Sequence, residues 1–108
     1  MVMVMTTSYF PAGKSEEAGK KFIEVTKKFP PDRSIGKPIL RVGVRVTTNG
    51  MKVITLYEVK EGKIDEFMNR SYQQILMFSE IEGYRAEHEV FLTGTEALPL
   101  VGLKMPEE

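Results

Sequence analysis

Apolar and polar positions recur along this chain with two periods, about two residues and about three and a half, and the switches between them divide it into six segments. Residues 1–10, MVMVMTTSYF, are rich in Val, Met, Thr, Tyr and Phe and stop at Pro11-Ala12-Gly13, which predicts a strand closed by breakers. Ser15 then offers an N-cap, and Glu16 and Glu17 fall in the first turn, where the helix dipole favours negative charge. Ala18, Phe22, Val25 and Phe29 lie on one helical face. Pro30-Pro31 ends that helix, because neither imide donates a hydrogen bond and Pro31 disfavours helical geometry at its neighbour.

The strongest local signal is Thr47-Thr48-Asn49-Gly50-Met51, an Asn-Gly dipeptide between two β-branched runs. Asn-Gly suits the positive φ angles of a two-residue hairpin turn. With Thr48 facing Met51, the register sets Val46 against Val53, Val44 against Thr55, Val42 against Tyr57 and Leu40 against Val59. The other face then holds Ile39, Arg41, Gly43 and Arg45 against Lys60, Glu58, Leu56 and Ile54, which brings Arg41 opposite Glu58 as a cross-strand ion pair. Beyond Lys60-Glu61-Gly62-Lys63, the residues Ile64, Phe67, Met68, Ser71, Tyr72, Ile75 and Phe78 share one side of a helical wheel, while Leu76 and Met77 fall off it. Gly83 follows as a C′ residue. Tyr84 to Thr93 alternates as a fourth strand, with Tyr84, Ala86, His88, Val90 and Leu92 on its more apolar side.

The predicted order is therefore β-α-β-β-α-β, an α+β fold of ferredoxin-like βαββαβ type, with an antiparallel sheet and both helices on one face. Two helices shelter one face only. The reverse face still carries Ile39, Ile54 and Leu56, and the first strand is apolar on both sides through Val2, Val4, Met3 and Met5. An apolar surface of that extent marks an interaction site, and a second copy packed sheet to sheet about a two-fold axis is the economical cover. Residues 1–94 form the domain on this reading. Residues 95–108, which include Leu98-Pro99-Leu100-Val101-Gly102-Leu103, form a C-terminal arm expected to cross onto the partner subunit.

Composition narrows the function classes. The 15 basic and 15 acidic side chains balance, so no electrostatic footprint for nucleic acid or an anionic membrane is present. The chain has no cysteine, which removes thiolate chemistry and cysteine-based metal sites and fits a reducing compartment. The N-terminal run lacks a basic region and is far shorter than the ~20 apolar residues of a membrane helix. A cytoplasmic protein without a cofactor is expected. Glu16 with Lys20, Glu17 with Lys21 and Glu24 with Lys28 make the first helix a self-compensated, solvated face.

The segments EVKEGKIDEFMNRSYQQI and IEGYRAEHEVF resemble the start of the second helix and the final strand of the dimeric α+β barrel superfamily. That group includes antibiotic-biosynthesis-type monooxygenases, stress-responsive barrel proteins and many members without an assigned function. The resemblance spans most of residues 1–93 and rests on element order and loose GK-x-x-EF and GY patterns. It implies a homodimer, with a small-molecule site between sheet and helices. In the monooxygenases, which use neither metal nor flavin, asparagine, tryptophan and histidine serve the site; here Asn69 lies on the second helix, His88 on a strand, and there is no tryptophan.

The candidate site residues follow. His88, the only histidine, is either a proton-transfer base lining a cavity or a hydrogen-bonded strand histidine. Arg41 and Arg45, two positions apart, would fork onto a carboxylate ligand or else pair within the structure. Tyr9, Tyr57 and Tyr72 offer hydroxyls to an apolar pocket or to core packing. The leading expectation is a homodimer binding a small apolar or carboxylate-bearing molecule. The alternatives are a cofactor-independent monooxygenase or isomerase using His88 or Asn69, and a structural or regulatory dimerisation module.

Overall fold

The computed structural model describes residues 1–107. Four strands, β1 (Val2–Pro11), β2 (Gly36–Thr47), β3 (Gly50–Val59) and β4 (Arg85–Leu92), form one sheet in the order β2-β3-β1-β4, and every neighbouring pair is antiparallel. Two helices, α1 (Ser15–Lys28) and α2 (Ile64–Phe78), connect them, and a short helix α3 (Gly94–Ala97) and a 3-10 turn (Leu98–Val101) follow β4. The expected six-element order is thus extended to β-α-β-β-α-β-α. The added turn has a local cause: Thr93 accepts from the Glu96 amide while the Glu96 carboxylate accepts from the Thr93 amide, a reciprocal cap that satisfies two exposed donors.

The predicted hairpin forms, but not in the expected register. Thr47 pairs with Gly50, Val46 with Met51 and Val44 with Val53, so the two-residue loop is Thr48-Asn49 and not Asn49-Gly50. The reason lies in β1. Its end runs onto the hairpin, where Pro11 pairs with Gly50 and the Ala12 N–H that follows donates to the Asn49 carbonyl at 3.1 Å. A Cβ on Gly50, whose φ is +144°, would stand 2.0 Å from the Phe10 carbonyl oxygen. Gly50 is thus required by its positive φ and by a close backbone approach inside the sheet, and not by a place in the two-residue turn.

Further along, β2 carries one extra residue between Gly43 and Leu40 and another between Leu40 and Pro38. Such bulges bend an edge strand, and the second sits beside Pro38, which has no amide to give the ladder. Each insertion also exchanges the faces. Leu40 now opposes Leu56, Glu58 opposes Lys37, and the expected Arg41–Glu58 pair does not form.

The packed interior has two parts. Phe10, Ala18 and Ile81 make a buried cluster joined by Met51, Val53, Phe78 and Tyr84, with the rings of Phe10, Phe78 and Tyr84 centred 5.1–5.8 Å apart. Val4, Val25, Ile35 and Val59 are buried outside that cluster. On α1, Ala18 and Val25 are buried as the stripe predicts, yet Phe22 between them remains 37% exposed. Of the three helical ion pairs, Glu16–Lys20 forms at 3.1 Å, whereas Lys21 turns to Glu24 and to Glu80 beyond α2.

Gly50 and Gly62 separate two costs. Around Gly62, at φ +80°, an added Cβ meets nothing, so Gly62→Ala is expected to cost ~1–2 kcal/mol of left-handed backbone strain. Gly50→Ala adds a clash with backbone, and a loss of about 3 kcal/mol or more is expected. Urea unfolding of the two variants measures both, and equal losses would remove the close approach of β1 as the reason for Gly50.

Candidate functional site

Phe22 is left partly exposed because the space beneath it is not filled. A cavity of about 450 Å³ lies between the helices and the sheet. Its walls come from the apolar stripe of α1, from Phe67, Ile75 and Phe78 of α2, and from alternate residues of β3, namely Met51, Val53, Thr55 and Tyr57. The same i, i+3, i+4 spacing that would make a core here makes a lining. The Pro30–Gly36 segment borders it after the end of α1.

Polar groups punctuate these walls. Arg70 of α2 donates to the Pro30 carbonyl and lies over the Phe29 ring, 5.6 Å from its centroid. Ser8 and Tyr84 share a hydrogen bond at 2.9 Å, and burial pushes the Tyr84 phenol above its ordinary pKa while the Ser8 bond opposes the shift. Asp32 accepts from both the amide and the hydroxyl of Ser34, and those bonds hold its carboxyl below the ordinary range.

His88 lies opposite Thr6 on the helix side of the sheet. Its Nε2 is 2.7 Å from Ser71 Oγ of α2, and the Tyr72 ring meets the imidazole edge-on at 5.0 Å. Burial lowers its pKa from the ordinary 6.5, so the ring is neutral at pH 7 and ties β4 to α2. Ser71, not His88, lines the cavity.

The structure divides the other sequence candidates. Arg41 and Tyr57 line the cavity, with Tyr57 packed on Phe67 at 5.5 Å. The bulge between Leu40 and Gly43 puts Arg41 on the opposite face from Arg45, which stands opposite Lys52 on the reverse face. Tyr9 also opposes Lys52 and lies beneath the Arg85 guanidinium at 5.0 Å. Tyr72 is 55% exposed. Asn69 is exposed on α2 and accepts from the Gln73 amide, so His88 and Asn69 are not brought together.

Arg70, Ser71 and Tyr84 enter the site without having been singled out for it. Ser71 and Tyr84 sit on the predicted apolar faces and carried that signal. Arg70 flanks the α2 stripe three residues after Phe67, and its position is the sole hint the sequence holds.

No family model and no curated protein matches this chain. Among solved structures, the de novo designed protein Foldit4 superposes with a TM-score of 0.53 at 13% identity, over 85% of this chain and 96% of that one. The likeness extends to the small α+β fold with its antiparallel sheet. Among the described residues, no helix is long and apolar enough to cross a membrane and no group of three metal-ligating side chains is present.

The His88 environment predicts a pH dependence. Its folded pKa lies below the unfolded value, so in that window the unfolded chain binds more protons and stability rises with pH. The contribution is complete above about 6.5 and is lost as pH falls toward the lowered folded pKa. Thermal unfolding between pH 7.5 and 4.5 is expected to show a steeper fall for the native chain than for His88→Gln. Parallel curves would mean that burial does not bias this imidazole.

Proposed function

We propose that this chain is a small-molecule-binding protein that works as a homodimer of ferredoxin-like units, in the manner of the dimeric α+β barrels, with its ligand between the sheet and the helices. The cavity carries the binding half of this reading. Its volume of about 450 Å³ falls within the ~300–1,000 Å³ usual for ligand pockets, and mostly apolar walls with a few convergent polar groups are what such pockets present. An unfilled volume of this size forfeits the dispersion contacts that would otherwise stabilise the core. A ligand restores them.

The unsheltered sheet face supports the homodimer. Met3, Met5, Ile54 and Leu56 are half-buried at its centre, and Leu40 and Phe91 are exposed toward its edges. The chain exposes 7455 Å², against ~6,100 Å² expected for a compact monomer of its mass. Its radius of gyration is 15.7 Å, against ~13 Å for a compact domain of this length. The surplus area exceeds the ~800 Å² that each partner of an ordinary stable interface buries. A second copy is the cover that a self-complementary sheet face accepts by symmetry.

Two measurements test this reading. A ligand at a hundred times its Kd stabilises the folded state by ~2.7 kcal/mol, so thermal unfolding against a panel of small apolar metabolites is expected to yield upward shifts. Val53→Trp, which fills the cavity, is expected to abolish them; a panel with no shifts would sink the binding half. Sedimentation at micromolar concentration is expected to give a dimer, weakened about tenfold or more by Leu56→Glu and by Phe91→Glu at the exposed edge. A monomeric native chain would sink the other half.

A further inference from the structure

We infer that the cavity takes a monocarboxylic acid, its carboxylate held by Arg41 and Arg70 and its apolar body lying along α1 and the β2–β3 hairpin. This rests on the reading of the cavity as a ligand site and specifies which chemistry enters it.

The cavity's charged lining consists of three residues: Arg41, Arg70 and Asp32. Two cations and one anion leave a single positive charge, and neither guanidinium belongs to an ion pair among the described residues. Asp32 forms no ion pair with either arginine: its Oδ1 accepts from Ser34, and its negative charge acts on Arg70 only through space. Arg70 gives one donor to the Pro30 carbonyl and rests on the Phe29 ring, two contacts that fix the plane of its guanidinium. A guanidinium has five N–H donors in a planar fork matched to a carboxylate, so most of the Arg70 donors remain for a ligand. Arg41 reaches this side of the sheet only because of the bulge between Leu40 and Gly43, which sets Arg41 and Val42 against Thr55. That irregularity moves a charged side chain from the reverse face to the cavity side, where it joins Arg70. The surplus of one charge matches a monoanion better than a phosphate dianion, and the aromatic walls match a hydrocarbon body.

The probe pair is 2-naphthylacetate and 2-naphthaleneethanol, which share a carbon skeleton and differ in the head group, titrated into the full chain at pH 7.5 and followed by naphthalene fluorescence. The acid is expected to bind at least tenfold more tightly than the alcohol. Arg41→Gln and Arg70→Gln are each expected to bring the acid down toward the alcohol's affinity while leaving the alcohol unchanged, and 0.5 M salt is expected to weaken the acid alone. Should Arg70→Gln unfold, Arg41→Gln at its exposed position keeps the comparison. Equal binding of acid and alcohol, or equal loss of both in the variants, would overturn the carboxylate assignment and leave the cavity reading standing. Binding of neither probe, with inorganic phosphate shifting the unfolding temperature through the same arginines, would replace a carboxylic acid by a free phosphate. No response to any of the three would overturn the assignment together with the cavity reading.

Discussion

β1 is the strand from which the rest of the fold hangs. Ten of its residues pair with β3 and eight with β4, so it fixes both central ladders at once, and its last residue lies on Gly50 of the hairpin. That double pairing decides which side chains face the helices. Thr6, Ser8 and Phe10 do, with His88, Ala86, Thr55 and Val53 beside them. It also places the aromatic cluster of Phe10, Phe78 and Tyr84 at one end, and Val4 and Val59, both fully buried, toward the other. The helices are held at these two packed regions, and the middle is where space remains.

The elements were legible because each is set by local periodicity and breakers. Pro11-Ala12-Gly13 and Pro30-Pro31 end β1 and α1 through their own backbone restrictions, whatever surrounds them. The hairpin register was not legible, because Asn49-Gly50 satisfies a turn preference and a tertiary preference equally well. The tertiary one wins, since the Phe10 carbonyl leaves no room for a Cβ at residue 50. A shift of that kind propagates to every pair downstream. It removed the Arg41–Glu58 pairing, and the bulge between Leu40 and Gly43 completed the change by splitting Arg41 from Arg45.

The site was legible only in part for a related reason. An apolar stripe such as Ala18, Phe22, Val25 and Phe29 looks the same whether the facing surface is packed against it or stands away. Periodicity reports which side a residue faces and is silent on distance. Tyr57 could be placed from alternation alone, whereas the tie between Ser71 and His88 required knowing how α2 lies across β1 and β4. The capping box at Thr93 and Glu96 was present in the sequence as a four-residue pattern, and it explains why the apolar stretch after β4 begins with a helical turn.

Every residue of β3 from Met51 to Glu58 is half-buried, on both faces. In a sheet packed on one side, alternate residues would be buried and exposed. Here the odd positions look into a cavity and the even ones onto a surface without helices, so neither set is fully buried and neither is fully solvated. The two proposed roles therefore fall on opposite parities of one strand: Val53, Thr55 and Tyr57 belong to ligand contact, Ile54 and Leu56 to association. Because successive side chains of a strand point to opposite faces, a substitution on one parity changes one role by direct contact and reaches the other only through the backbone. A rigid, doubly paired β3 keeps that second path weak. The bulged edge strand β2 lacks such bracing, and it is there, at Arg41 and Val42, that neighbouring residues of one segment share the cavity face.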